Sequence, residues 1–324
     1  MIRRLLYIAA LLGGVLPATP AGAQQTGKVP VIGLLMVNAG PNETVVEAVR
    51  RGLRDFGYVD GQNIRIEYRG AQGREERLLA LAQELVQLKV DAIVVGAEAS
   101  ARAAKEATST IPIVFAMYDV DPVAVGLIDG FSHPGGNVTG IFSRQSELVG
   151  KRLELLRDLL PGLTRVAVLW DSFSRRQLDQ TRPAARTLGI DLAFVEMRPP
   201  YNFEKAFRAI KKRKAGALLV LFSPVFNTEQ AKLSQLAIES KLPTMFQDPD
   251  NVRAGGLIAY GPSREEVFGR TAYYVDRVLK GAKPGELPVE QSANFRLVVN
   301  LSTAKAVGLV IPESILLRAD EVIR

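Results

Sequence analysis

The sequence predicts an α/β protein built as two Rossmann-like, parallel-sheet lobes. Three observations carry that expectation. Short β-rich runs alternate with amphipathic helical patterns, the signature of parallel strands joined by crossover helices. A Gly/Pro-rich stretch, Ser132-His133-Pro134-Gly135-Gly136-Asn137, interrupts the alternation, which then restarts as a second set of similar size. The chain has 324 residues, a length that suits about two domains.

The first element is not part of either lobe. Met1-Ile2-Arg3-Arg4 is a basic start, and residues 5–16 form an apolar run too short to span a bilayer at about 1.5 Å per residue. Pro17 and Pro20 follow, then the small residues Ala21-Gly22-Ala23. The pattern predicts a signal peptide over 1–23, cleaved after Ala23. No cysteine follows, so no lipid anchor is expected there, and the mature protein is expected to be exported to a periplasm.

Residues 29–37 (VPVIGLLMV) then read as a buried strand and 42–56 as a helix ended by Gly57, a C′ glycine. A strand at 64–68 and a helix at 75–88 follow, the helix placing Leu78, Leu81, Ala82, Leu85 and Leu88 on one face. Residues 92–95, 100–108, 113–115 and 138–142 continue as strand, helix, strand and strand. The second set runs as helix 147–160, strand 165–170, helix 175–188, strand 192–196, helix 203–212, strand 217–222, helix 228–239 and strand 243–246. A strand at 257–260 and a helix at 264–279 come next, the helix ended by Gly281 and Pro284. The tail reads as a strand at 295–300 and a helix at 302–308. Because helix 264–279 arrives after the second lobe looks complete, the sequence predicts that it returns to the first. A chain that crosses between lobes more than once makes a multi-strand hinge, able to close on a ligand.

Composition removes most enzyme chemistry. The chain is 47% hydrophobic, 23% charged and 7% aromatic, an ordinary globular mixture. It has no cysteine, which excludes disulfides, thiolate metal sites and a thiol nucleophile, and one histidine, His133, which excludes multi-histidine metal sites. The net charge of +7 is modest, and the densest basic run, Lys211-Lys212-Arg213-Lys214, ends a helix, where cations oppose the helix dipole. No nucleic-acid partner is expected. No glycine-rich dinucleotide loop, Walker loop or nucleophile elbow is present. Nothing presents a nucleophile to His133, and Asp119-Val120-Asp121 lacks the glycine and terminal glutamate of a calcium loop. No cofactor and no metal are expected.

The loops after the strands remain, since ligands of open parallel sheets bind outside the strands' carboxyl ends. In the first half these supply Asn38, Ala39 and Gly40, then Ala97, Glu98 and Ser100, then Tyr118 and Asp119, with Phe142 and Ser143 at the end of a later strand. In the second half they supply Asp171 and Ser172, Ser223, and Gln247 with Asp248. Tyr118, Phe142 and Phe222 are candidates for lining a pocket. Gly96 to Ser100 opens a helix whose free N–H groups suit a carboxylate.

Several stretches together resemble the solute-binding proteins of ABC importers, in the subgroup related to tryptophan/tyrosine-binding proteins. They are FGYVDGQNI at 56–64, ATSTIPIV at 107–114, PGGNVTG at 134–140, KRLELL at 151–156 and NLSTAKA at 300–306 continuing to Ile311-Pro312. The resemblance spans the expected mature chain. It implies a type I periplasmic-binding fold with a three-crossing hinge, the crossings near 138–143, 258–261 and 288–292. One lobe would take residues 24–140 with 261–290, the other 141–260 with 291–324. Where family members carry a Gly-Asp-Pro-like turn, this chain has Tyr118-Asp119-Val120-Asp121-Pro122, with an insertion and an aromatic. The implied function is capture of a small organic solute, an aromatic or branched amino acid or an aromatic carboxylate. The solute would then pass to an inner-membrane ABC permease; the implied receptor is a monomer and not an enzyme. Two other readings fit the residues: an exported ligand-binding partner of a membrane sensor, and an exported two-lobe enzyme using His133. A DNA-bound regulator of the same fold is disfavoured, because the signal peptide stands where a helix-turn-helix would be.

Overall fold

The structure, a computed structural model, describes residues 28–38, 40 and 44–324. The expected signal peptide, Ala39 and residues 41–43 lie outside the described residues. The first lobe is built on β1 (Val31–Met36), β2 (Arg65–Gly70), β3 (Ala92–Val95), β4 (Ile113–Tyr118) and β5 (Val138–Phe142). Helices α1 (Thr44–Asp55), α2 (Leu78–Gln87) and α3 (Glu98–Ala107) connect them. The second lobe opens with α4 (Val149–Leu159) and continues through β6 (Arg165–Trp170), α5 (Arg175–Leu188), β7 (Asp191–Glu196), α6 (Phe203–Lys212) and β8 (Ala217–Val220). Then come α7 (Pro224–Thr228), α8 (Gln230–Glu239), β9 (Thr244–Phe246), α9 (Pro249–Arg253) and β10 (Ile258–Pro262). Helix α10 (Arg264–Leu279) and β11 (Glu290–Gln291) return to the first lobe. The chain ends in the second with β12 (Phe295–Asn300), α11 (Leu301–Val307), α12 (Glu313–Leu316) and β13 (Glu321–Ile323).

The first sheet has the strand order β11-β5-β4-β3-β1-β2 and every pairing in it is parallel. The second has the order β13-β12-β10-β9-β8-β6-β7, parallel except for the antiparallel pair β10–β12. Strands β1, β3 and β8 are buried along their whole length. That is why they read in the sequence as unbroken apolar runs: helices cover both faces of a parallel sheet.

Between the sheets the chain passes three times: after Phe142, at Ser263 and across residues 292–294. β5 carries the first sheet through Phe142, two residues past the expected boundary at 140, and β10 keeps the second through Pro262. Helix α10 packs Val267, Phe268, Ala272, Tyr274 and Val275 into the first lobe's core beside Ile32, Leu34 and Val49.

Some local structure departs from expectation. The helix at 75–88 begins as a 3-10 turn, Glu75–Arg77, with no side-chain cap, and becomes α-helical only at Leu78, the first buried apolar residue. The helix expected at 228–239 is α8, and a short helix, α7, that was not expected precedes it. Ser223 accepts hydrogen bonds from the backbone N–H of Val225 and Phe226, and Pro224 takes the first position of α7, which ends before Glu229.

Strands β4 and β5 approach closely because Gly140 has no side chain. Its φ is +148°, and a Cβ there would stand 2.1 Å from the carbonyl oxygen of Phe115. Gly140→Ala is expected to lower the unfolding free energy by about 2–3 kcal/mol. Urea denaturation measures it; a change below about 0.5 kcal/mol, that of an ordinary surface substitution, would show that the sheet opens freely at this point.

Candidate functional site

The carboxyl ends of β3 and β4 face those of β6 and β8 across a cleft that holds a cavity of about 160 Å³. Its first-lobe wall is Ala97, Glu98 and Ala99, where α3 opens, and Met117, Asp119 and Val120, where β4 ends. Its second-lobe wall is Ser172 and Phe173 after β6, Arg176 and Gln177 on α5, and Phe222 and Pro224 after β8. Glu75 and Arg102 complete it, ion-paired to each other. The lobes touch across it. Gln177 Nε2 donates to Asp119 Oδ2 at 3.2 Å, Thr228 Oγ1 donates to the Asn38 carbonyl at 3.3 Å, and Phe222 packs into the first lobe's core.

Asp119 is aimed by a break in β4. The β4–β5 register shifts between Phe115 and Tyr118, and Met117 between them holds φ +53°. A bulge of this kind redirects the residues that follow it, and a left-handed non-glycine residue costs on the order of 1–3 kcal/mol. The Asp119 carboxylate accepts from Ser146 N at 2.8 Å, Ser146 Oγ at 2.7 Å and Gln177 Nε2 at 3.2 Å. Burial pushes its pKa up, while these hydrogen bonds and the charge of Arg152 pull it back. Across the cleft, Arg176 is exposed and makes no ion pair among the described residues. Helix α3 opens at Ala97, whose side chain cannot cap it, so its first N–H groups have no side-chain acceptor.

Beneath the cavity wall lies a polar layer. Gln177 Oε1 accepts from Gln247 Nε2 at 2.6 Å and from Phe222 N at 3.0 Å, which ties α5 to the ends of β8 and β9. Asp171 caps the turn after β6 by accepting from Phe173 N, and it receives Ser223 Oγ at 2.5 Å and Tyr201 Oη at 3.2 Å. Asp248 caps α9 and accepts Arg264 Nε from α10 at 2.5 Å, a buried ion pair between lobes. Burial pushes the carboxyl of Asp171 up to about 6, and that of Asp248 up to about 6 despite the Arg264 charge.

A raised acid pKa has a definite sign in stability. The folded state holds the Asp171 proton more tightly than the unfolded chain, so Asp171 favours folding most at low pH. That contribution is lost as pH rises from about 4 to about 6. In Asp171→Asn the loss disappears. The unfolding free energy of this variant relative to the parent is expected to rise by roughly 3 kcal/mol between pH 4 and pH 7. Urea titrations of both proteins across that range measure it, and a flat difference would place the Asp171 pKa near its ordinary value.

Of the residues expected from the sequence, Ala97, Glu98, Asp119, Ser172 and Phe222 line this cavity. Asn38 lines a smaller neighbour and Phe142 a larger one, which also reaches Asp119. Asp171, Ser223, Gln247 and Asp248 lie in the polar layer under the wall with their side chains bonded as above. Ser100 and Ser143 are wholly buried and line none of these cavities. Gly40 is half-buried and lines none of them either. Ala39 and the side chain of Tyr118 lie outside the described residues. Among the lining residues that were not expected are Glu75, Arg102, Arg176 and Gln177. All four sit in helical turns, and which face of a turn meets the opposite lobe depends on how the lobes dock.

A family model described as ABC transporter substrate binding protein matches residues 29–323. A curated protein from Clostridioides difficile (strain R20291), described as a tyrosine-binding protein, is 28% identical over 265 residues, 80% of this chain and 75% of that protein. Among solved structures, an ABC domain from Streptococcus pneumonia in complex with L-Trp is 25% identical with a TM-score of 0.78, covering 91% of this chain and 100% of that one. A ligand-free, open substrate binding protein from Clostridium difficile is 26% identical, with a TM-score of 0.62 over 91% of this chain and 99% of that one.

Proposed function

The chain belongs to the ABC transporter substrate binding protein family, and from that premise we propose that it is the exported receptor of an importer for an aromatic amino acid. Proteins of this family bind solutes and are not enzymes, and one cavity carries the present reading. The interlobe space has a carboxylate at one end, Asp119, the uncapped start of α3 on one wall, and an apolar surface of Met117, Phe173, Phe222 and Pro224. The ligand ammonium pairs with Asp119. Its carboxylate takes the free N–H groups of α3, helped by the positive end of the helix dipole. Its ring lies on the apolar surface. Binding of this kind, apolar contact with a few fixed polar groups, is typical of small-molecule clefts.

Closure follows from where those groups come from. Asp119 and α3 belong to the first lobe, Phe173, Phe222 and Pro224 to the second, so the ligand gains all its contacts only when the lobes meet. That differential affinity is what shifts an open–closed equilibrium. The greater similarity to a ligand complex (TM-score 0.78) than to an open, ligand-free relative (0.62) supports a closed arrangement here. The leader at 1–23 directs the protein to the periplasm, where as a monomer it delivers its solute to an inner-membrane permease.

Calorimetric titration of the mature protein with L-tyrosine and L-tryptophan, paired with small-angle scattering, tests this. Saturable binding with a decrease in radius of gyration is expected. No heat and no change in scattering with either amino acid would remove the reading.

A further inference from the structure

Charge is unevenly divided between the lobes. Lys and Arg outnumber Asp and Glu in the second lobe, and the acids outnumber them in the first. The excess gathers at one corner. Strand β7 is the edge of the second sheet, with Leu192 and Phe194 turned to the α5 face and Ala193 and Val195 to the α6 face. The two helices therefore flank that edge from opposite sides. Arg182 and Arg186 are exposed on α5, and the Arg182 guanidinium lies 4.2 Å over the Phe194 ring. Lys211 and Lys212 are exposed in the last turn of α6, followed by Arg213 and Lys214, exposed as well. Arg165 joins the two groups. Its Nε donates to Asp191 Oδ2 at 2.7 Å, just past the end of α5, and its Nη1 to the Arg213 carbonyl at 3.3 Å.

These six cations make no ion pair among the described residues. Of the acids on α5, β7 and α6, three are already paired: Asp191 to Arg165, Glu196 to Arg198 and Glu204 to Lys232. Asp179 is the other. A helix end presents about half a negative charge, less than the cations at the end of α6 can use, and crowded like charges destabilise a fold. None of the large apolar residues of α5, β7 or α6 is exposed. Protein interfaces are built on apolar and aromatic anchors and are poor in Lys. A convex corner of Lys and Arg without such anchors suits an extended plane of negative charge instead.

We propose that this corner is a docking surface for an anionic bilayer, held by the headgroup phosphates of phospholipids with no side chain inserted among the acyl chains. The inference goes beyond the receptor reading and does not depend on which solute is carried. In an exported protein, this surface holds the lobes beside the membrane where a permease lies. Each Lys or Arg near an anionic headgroup layer raises partition about fivefold, and salt screens the attraction.

The test is co-sedimentation of the mature protein with vesicles of phosphatidylcholine alone, or with roughly one part in four of phosphatidylglycerol. Binding is expected only to the anionic vesicles, and is expected to be lost as salt rises from about 0.05 M to about 0.5 M. The variant combining Lys211→Gln, Lys212→Gln, Arg213→Gln and Lys214→Gln is expected to bind at least ~50-fold more weakly. A matched variant combining Arg54→Gln, Arg74→Gln, Lys89→Gln and Arg277→Gln loses the same charge from exposed positions of the first lobe. It is expected to stay within about threefold of the parent. Thermal unfolding checks both folds. Arg182→Gln with Arg186→Gln, expected to weaken binding at least ~10-fold, serves if the α6 variant does not fold. No binding of the parent to anionic vesicles overturns the proposal. Equal weakening in the α6 and matched variants also overturns it, because binding would then follow net charge and not this corner. Capture by immobilised polyglutamate without vesicle binding overturns it in favour of an acidic protein partner. None of these outcomes bears on solute binding in the cleft.

Discussion

Asp119→Ala is expected to weaken amino-acid binding about 100-fold, roughly 3 kcal/mol. The carboxylate stands in the cavity wall at the end of a strained strand, and the other acids lining the cavity are Glu75 and Glu98, both half-buried and both ion-paired to Arg102. Removing it leaves a ligand ammonium desolvated and unpaired. It also frees Ser146 and Gln177, the two residues through which the hinge side and α5 hold Asp119. Asp119→Asn separates these effects, because it keeps the volume and loses the charge. Most of the affinity loss is expected to persist in it. Because burial raises the pKa of Asp119, parent binding is also expected to weaken as pH falls towards that value, with the ammonium gone unpaired once the acid is protonated. Calorimetry at pH 7.5 and at successively lower pH measures both. A loss under threefold in Asp119→Ala would show that the ammonium sits elsewhere.

Arg152→Ala is expected to lower the unfolding free energy by about 3–5 kcal/mol. Arg152 is the largest fully buried side chain in the protein's described part. Its Nε donates to the Tyr260 carbonyl at 2.7 Å and its Nη1 to the Gln145 carbonyl at 3.1 Å, while Nη2 bonds Gln145 Oε1 and reaches the Gln247 carbonyl at 3.5 Å. Gln145 follows the first passage between lobes and Tyr260 precedes the second. One cation therefore gathers two hinge strands. Burial pulls its pKa down to about 9, which still leaves it charged at neutral pH. Arg152→Met keeps much of the volume and loses the hydrogen bonds, so it isolates the cost of the three carbonyls left without this donor. Urea unfolding of both variants checks the prediction; a loss below 1 kcal/mol in Arg152→Ala, about that of one ordinary hydrogen bond, would show that water takes over the guanidinium's bonds.

The lobes were legible in the sequence because strands covered on both faces leave apolar runs that nothing else explains, as at 31–36 and 92–95. Helix ends were legible where a glycine stops them: Gly57 and Gly281 both hold positive φ. The return of helix 264–279 to the first lobe was legible from its position in the order of elements. Helices α7 and α9 were missed because five residues carry no periodicity, although Ser223-Pro224 and Asp248-Pro249 each pair a cap with a proline at the first turn. Strand β11 was missed because Glu290-Gln291 has no apolar face and pairs only where β5 presents its edge. In the site, the strand-end loops were legible from topology alone. Met117 was in such a loop, but its left-handed backbone was not legible, since no glycine or asparagine marks it. Asp171 and Asp248 show the limit from the other side. An acid after a strand reads equally well as a ligand group or as a cap, and only packing distinguishes them.

The late return of α10 and β11 bears on how the chain acquires its structure. The apolar face that covers Ile32, Leu34 and Val49 is made by residues beyond 264, and the edge of the first sheet is completed only at Glu290–Gln291. A chain appearing from its N-terminus cannot finish its first core until nine-tenths of its length exists. The contacts involved are far apart in sequence, and long-range closure of this kind is slow. Neither lobe is then an independent folding unit during synthesis: both must condense together, after the whole chain is made. An early-terminated product that stops before Arg264 would expose the first core and aggregate.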